Sequence, residues 1–149
     1  MKSMRCLAVC LLLVLTCAQA TAKVEAETLC FQAVTNDKIH LALKYYLDTD
    51  LNQQLGALAQ YGPASKPLIS LVFLGDGTTD DTVDWELHWL EIVDGKPGGT
   101  YALLKPRSAT VAAAYLKYRS AKSGKETVFR PSRGPDGKCV IGVKREATR

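Results

Sequence analysis

The chain has 149 residues, of which 47% are hydrophobic, and a formal net charge of +4 at pH 7. This length allows one domain once an N-terminal leader is set aside. The sequence shows no internal repeat and no low-complexity segment that would indicate a second unit.

The N-terminus has the three parts of a secretory signal peptide. Two basic residues lie within the first five positions, an apolar run follows over 6–16, and a small-residue triplet ends at Ala20. The apolar run is too short to cross a bilayer and polar chain follows it, so we expect no stable membrane span. We place cleavage after Ala20, with Ala22 as the alternative. The prediction is therefore a signal peptide over 1–20, a single β-rich domain over 21–149, and a periplasmic or secreted protein.

A lipoprotein signal is the alternative for the leader. In that case Cys17 would be the acylated residue, preceded by Thr16. Threonine is a poor fit to the small residue expected before a lipidated cysteine, so we prefer the cleaved leader.

Alternation of apolar and polar residues predicts short strands along the remaining chain. Turns rich in Gly, Pro, Asn and Asp separate them. The stretch 51–61 is ambiguous, but Gly56 in its middle costs a helix about 1 kcal/mol relative to Ala, so we predict a strand there. The predicted strands span 24–34, 39–47, 51–61, 68–74, 83–93, 100–105, 110–119, 125–130 and 138–144.

The stretch 83–93 contains both tryptophans of the chain. Two tryptophans on one face of a strand can bury roughly 150–250 Å² each, which is enough to anchor a small core. We therefore expect this strand to be central. The residues predicted to share its buried face are Val83, Trp85, Leu87 and Trp89.

The spacing of the strands predicts an all-β fold. About eight strands, separated by turns every 8–12 residues, indicate a single-domain antiparallel meander, with one short helix possible at 51–61. The pattern is compatible with a closed barrel and with a sandwich, and both stay open at this point.

Two of the five cysteines lie outside the leader, Cys30 and Cys139. An isolated pair in an exported protein is most simply a disulfide, here joining the first and last predicted strands. A redox or metal pair would be expected to show Cys-x-x-Cys spacing, which is absent.

Charge is divided unevenly along the chain. Residues 21–100 contain 5 basic and 12 acidic residues, giving −7, whereas 101–149 contain 12 basic and 3 acidic residues, giving +9; with two basic residues of the leader the sum is +4. Either acidic and basic strands neighbour and neutralise each other, or a basic surface meets an acidic partner.

A basic segment near the C-terminus is the candidate binding site. Interleaved aromatic residues are typical of nucleic-acid binding, but export argues against nucleic acid. The loop 122–125 could instead insert into an acidic cleft of another protein, unless its lysines only keep a hairpin soluble. The residues predicted to bind the partner are Arg119, Lys122, Lys125, Arg130 and Arg133.

Metal and catalytic sites have little support. The face opposite the tryptophans carries Asp84, Glu86 and His88, which we interpret as an ordinary solvated strand face, since a metal site would need His40 from another strand. Acidic residues near Asp76 lack the spacing of a calcium loop. Motifs of hydrolases and phosphate-binding loops are absent, so we expect no cofactor and no enzymatic activity.

The overall layout resembles that of the small periplasmic lysozyme inhibitors of Gram-negative bacteria. The shared features are a leader, Cys30 in the first predicted strand, a meander, and Cys139 in the last. The Ser-Gly-x-x-Tyr stretch of the membrane-bound inhibitors is absent, because Ser123-Gly124 is followed by Lys-Glu-Thr. We therefore assign no membership and transfer no binding residues.

Three functions compete. The first is a non-enzymatic binding protein of the envelope, an inhibitor or immunity protein that blocks a toxin or cell-wall hydrolase. The alternative is a small-ligand carrier with the barrel interior as its pocket, although inward tryptophans would tend to fill that interior. A hydrolase ranks last.

Overall fold

The protein is an all-β barrel, as a computed structural model shows for residues 23–62, 66–77, 82–107 and 109–141. Eight antiparallel strands follow one another in chain order, and pairing of the last strand with the first closes the sheet. The strands are β1 (Val24–Ala33), β2 (His40–Asp48), β3 (Gln53–Tyr61), β4 (Ile69–Gly77), β5 (Val83–Val93), β6 (Lys96–Pro106), β7 (Tyr115–Arg119) and β8 (Glu126–Pro131). The all-β prediction is confirmed, and the fold is a barrel rather than a sandwich. Both candidate cleavage sites and Cys17 lie outside the described residues.

Four of the hairpin loops lie at the same end of the barrel, because neighbouring strands run in opposite directions. Their described residues are 34–39, 62 with 66–68, 94–95 and 120–125, and we call this side of the barrel the four-loop end. The opposite end carries the remaining connections and the start of β1. The two ends of the barrel are therefore formed by different sets of loops.

The barrel interior is filled by side chains. Trp89 is 0% exposed and packs against Phe73, with ring centroids 6.1 Å apart. Trp85 and Leu87 are partly buried against the same core, so the shared face predicted for β5 is confirmed for Trp85, Leu87 and Trp89. Val83 is also buried, but a register shift separates it from Trp85 and it lies outside this cluster. The largest fully buried side chains are Trp89, Tyr101, Phe31, Phe129, Leu41, Leu43, Leu103 and Leu116.

The ambiguous stretch 51–61 contains β3, so the prediction of a strand there is confirmed. The strand predicted over 100–105 begins four residues earlier than expected, because β6 begins at Lys96 and not at Thr100. Asp94 and Gly95 have positive φ values of 51° and 72°, which is the geometry of a two-residue hairpin turn, and Val93 therefore pairs directly with Lys96.

The strand predicted over 138–144 is wrong for the part of it that the structure describes. Residues 138–141 form no strand, and 142–144 lie outside the described residues. Pairing of β8 with β1 over Phe31–Ala33 already closes the sheet, and the chain then leaves the sheet after Pro131. Instead a turn, in which the Gly134 amide donates to the Lys138 carbonyl at 2.8 Å, leads the chain across the outside of β1 to a position beside Gly62.

The strand predicted over 110–119 begins later than expected. Val111–Ala113 form a single 3-10 turn, and β7 starts only at Tyr115.

Within the described part of the chain, no helix has the length and apolar character needed to cross a bilayer.

The predicted disulfide is present. Cys30 and Cys139 are bonded, with Cα atoms 5.0 Å apart and a sequence separation of 109. It joins β1 to the segment after β8, and not to a final strand. This bond fixes the segment around Cys139 against the outer wall of the barrel.

Replacing Cys30 and Cys139 by serine should lower the free energy of unfolding by about 2–4 kcal/mol, because the crosslink restricts a long loop of the unfolded chain. Urea denaturation of the variant and of the oxidised wild type measures the difference. Two alkylatable thiols in the native oxidised protein would contradict the assignment.

Trp89→Ala should lower the free energy of unfolding by about 3–5 kcal/mol, and Trp85→Ala by less, because only Trp89 is fully enclosed. In the single-tryptophan variant Trp85→Phe, the remaining Trp89 should resist quenching by iodide. Strong quenching of that tryptophan in the folded protein would be inconsistent with its place in the core.

Candidate functional site

The candidate binding site centres on the hairpin of β7 and β8. Its loop is closed by the Ser120 amide, which donates to the Lys125 carbonyl at 3.0 Å, and by the Gly124 amide, which donates to the Ser120 carbonyl at 2.8 Å. Lys122 and Lys125 are exposed on this loop. Backbone hydrogen bonds therefore present the two lysines on a defined turn.

The structure brings together only part of the predicted set. Arg119 is exposed at the end of β7, beside the loop that carries Lys122 and Lys125. Arg130 lies further down β8, and Arg133 lies beyond the far end of that strand, where it lines a pocket with Val111 and Ala114. The six residues of β8 span about 20 Å, so Arg133 does not belong to the same surface as the loop.

A buried carboxylate lies inside the barrel, beside the end of β7 that leads into this loop. Glu91 is only 7% exposed and follows Trp89 on the inward face of β5. Its carboxylate accepts hydrogen bonds from the Gly99 amide at 2.8 Å and from the Tyr118 hydroxyl at 3.0 Å, with the Tyr101 hydroxyl at 3.4 Å. These donors replace the water that the carboxylate loses on burial.

Tyrosines extend the network across the barrel. The hydroxyls of Tyr101 and Tyr61 are 2.9 Å apart, and the rings of Tyr101 and Tyr118 lie 4.8 Å apart. Burial raises the pKa of Tyr61 to about 12. Burial also raises the pKa of Tyr101 and of Tyr118, and the hydrogen bond to Glu91 contributes further in Tyr118. The phenols therefore stay protonated at neutral pH and remain donors.

Two glycines make room for this network. A Cβ atom at Gly98 would lie 2.4 Å from a carboxylate oxygen of Glu91, and one at Gly99 would lie 2.4 Å from the Tyr118 ring and 2.6 Å from the Arg119 carbonyl oxygen. The start of β6 therefore approaches the end of β7 more closely than any larger residue allows. This contact positions the end of β7, which leads into the loop 120–125.

Glu91 was not among the residues predicted from the sequence. The signal was present, since continuing the alternation from Trp85 through Trp89 places position 91 on the inward face. The pair Gly98-Gly99 at the start of the next strand is the second signal, because glycine inside a strand often marks a close approach.

The acidic face of β5 is not the uniformly solvated surface that we expected. Glu86 is only 5% exposed, and its carboxylate lies 3.2 Å from Nε2 of His88, which itself lies over Gly77. Asp84 forms an ion pair with Lys105. Within the described ranges, no group of three His, Cys, Asp or Glu side chains could hold a metal ion.

Comparison of the chain with protein-family models, with curated proteins and with solved structures finds no match in any of the three.

Gly99→Ala should destabilise the protein by about 1–3 kcal/mol, because its Cβ would overlap the Tyr118 ring and a backbone oxygen. Gly62→Ala is the matched control, since a Cβ there makes only ordinary contacts at 3.8 Å, and its effect should stay within about 0.5 kcal/mol. Thermal unfolding of both variants measures this. Equal effects would show that the contact with Tyr118 is not tight.

The free energy of unfolding should fall as the pH rises above about 10, the pKa of tyrosine in the unfolded chain. Tyr61 has a folded-state pKa of about 12, so its contribution is fully present below about pH 10 and is lost as the pH rises towards that value. Lysines also titrate in this range, so the measurement is the difference in pH slope between wild type and Tyr61→Phe. The variant should have the shallower slope; identical slopes would contradict the burial of this phenol.

Proposed function

We propose that this chain is an exported, non-enzymatic binding protein, an inhibitor or immunity protein that blocks a toxin or a cell-wall hydrolase. Its contact surface centres on the β7–β8 hairpin. The observation that carries the proposal is the exposure of Arg119, Lys122 and Lys125 together at this tip, where none of them forms an ion pair with another described residue.

The construction of the hairpin supports a binding role. A surface that is rigid before association loses less conformational entropy on binding. The loop is closed by two backbone hydrogen bonds, and the strand that leads into it is held by the Tyr118–Glu91 contact. Unpaired cations on such a tip attract a partner with negative charge and raise the rate of association.

The filled interior favours this function over the carrier, and the disulfide supports the proposed location. Binding pockets for small molecules usually measure about 300–1,000 Å³. Here the large side chains of Trp89, Tyr101 and Phe31 occupy the core of the barrel. The Cys30–Cys139 bond fits an oxidising compartment, which supports a periplasmic or secreted location.

Reversing Lys122 and Lys125 to glutamate should slow association with the partner about tenfold or more at about 0.1 M salt, because rim charges act mainly on the association rate. The partner is captured from envelope extract with wild-type protein, purified, and returned to each variant in a surface-binding assay. At about 1 M salt, where the Debye length falls to about 3 Å, the difference from wild type should largely disappear.

The matched control reverses Lys23 and Arg107, two cations exposed at the opposite end of the barrel. This variant has the same net charge as the tip variant, and it should associate within about twofold of wild type. Circular dichroism verifies that both variants are folded. Equal association rates for the wild type and the tip variant would overturn the proposal and leave the lysines a role in solubility alone.

A further inference from the structure

The four-loop end carries more positive charge than the hairpin of β7 and β8 alone. Lys38 lies in the loop between β1 and β2, Lys66 in the loop between β3 and β4, and Lys96 at the first position of β6. All three are exposed, and none of them forms an ion pair with another described residue. They belong to residues 21–100, which have a net charge of −7, so the charge pattern along the sequence does not indicate them.

The charges of this end act together. Neighbouring strands are about 4.8 Å apart, so loops of successive hairpins lie about 10 Å apart, within one Debye length at 0.1 M salt. The described cations of this end number six and the acids three, giving +3. The cations are Lys38, Lys66, Lys96, Arg119, Lys122 and Lys125, and the acids are Asp37, Asp94 and Glu126.

The opposite end has the reverse balance. Its described strand ends and loops, without the segment 132–141, carry four cations and seven acids, giving −3. The cations are Lys23, Lys105, Arg107 and Arg130, and the acids are Glu25, Glu27, Asp48, Asp50, Asp76, Asp84 and Glu86. The two ends of the barrel therefore carry net charges of opposite sign. This would orient the four-loop end towards a negatively charged partner.

Apolar side chains lie among the lysines. Val34 is 58% exposed and Ile39 38% exposed in the first loop, while Leu68 is 58% exposed before β4 and Val93 45% exposed before the turn into β6. Three different hairpins thus contribute an exposed apolar group to one end. Protein interfaces combine such apolar contacts at the centre with charged groups at the rim.

We propose that the whole four-loop end is the docking face and that it fits a protein presenting an apolar patch bordered by carboxylates. This inference rests on the proposed function and extends it from one hairpin to four loops. The apolar groups decide the class of partner, because a simple polyanion would match the lysines and leave Val34, Leu68 and Val93 in contact with water. The lysines accelerate the encounter, and the apolar contacts slow dissociation.

Two synthetic peptides of equal length and charge provide the probe. One has a leucine-rich centre flanked by glutamates, and the other has serine in place of leucine. Each is titrated into the isotopically labelled full-length mature protein at about 0.1 M salt, where a Debye length of about 10 Å limits the effect of charges at the opposite end of the barrel. Amide chemical shifts in the loops 34–39, 66–68, 94–95 and 120–125 are the readout.

The expected result is that the leucine peptide shifts amides in all four loops and binds about tenfold more tightly than the serine peptide. Burial of roughly 60 Å² of apolar surface is sufficient for that factor. Leu68→Ser combined with Val93→Ser should remove the preference for leucine. Val24→Ser with Leu51→Ser, which changes residues at least as exposed at the opposite end, should retain it.

The charged part has its own pair of variants. Lys66→Glu with Lys96→Glu should weaken binding of both peptides at least fivefold, whereas Lys23→Glu with Arg107→Glu, the same change in net charge, should alter it less than twofold. Shifts confined to 120–125 would overturn the four-loop face and leave the proposed function standing. Equal binding of the two peptides would overturn the protein partner in favour of a general polyanion. No shift in any of the four loops with either peptide would overturn both.

Discussion

Closure of the sheet is the constraint on which the rest of this molecule depends. Backbone hydrogen bonds between β8 and β1 remove the edges that an open sheet would expose at that seam. Closure of a small barrel also requires the inward side chains to fill the space between the strands, and Trp89 with Tyr101 supplies much of that volume. A filled interior leaves the outer surface and the loops as the places where this chain can meet other molecules.

Polar groups inside the barrel connect the core to that surface. Glu91 is buried among tyrosine hydroxyls and the Gly99 amide, so its side chain is the centre of a hydrogen-bond network inside the barrel. Tyr118 belongs both to this centre and to the strand that enters the basic loop. The hydrogen bond from Tyr118 to Glu91 therefore also positions the strand that precedes Lys122 and Lys125.

Alternation in the sequence predicted most strands and the inward face of β5, because side chains of a strand alternate between two environments that differ in polarity. It failed where tertiary closure decides the outcome. Residues 138–141 have the composition of a strand, but the disulfide holds this segment against the outside of β1 and it pairs with no strand. The charge pattern misled in the same way: Lys38, Lys66 and Lys96 are scattered among acidic residues in the chain, and only the up-and-down topology places them beside Lys122 and Lys125.

Lysine footprinting in envelope extract is the most direct test of the four-loop end as the docking face, because it works before the partner has been identified. Acetylation rates measured by mass spectrometry, with and without extract, show how accessible each lysine is. The expected result is that the partner protects Lys66, Lys96, Lys122 and Lys125, while Lys23 at the opposite end reacts at an unchanged rate. Protection of Lys23 with the lysines of the four-loop end unprotected would contradict this docking face.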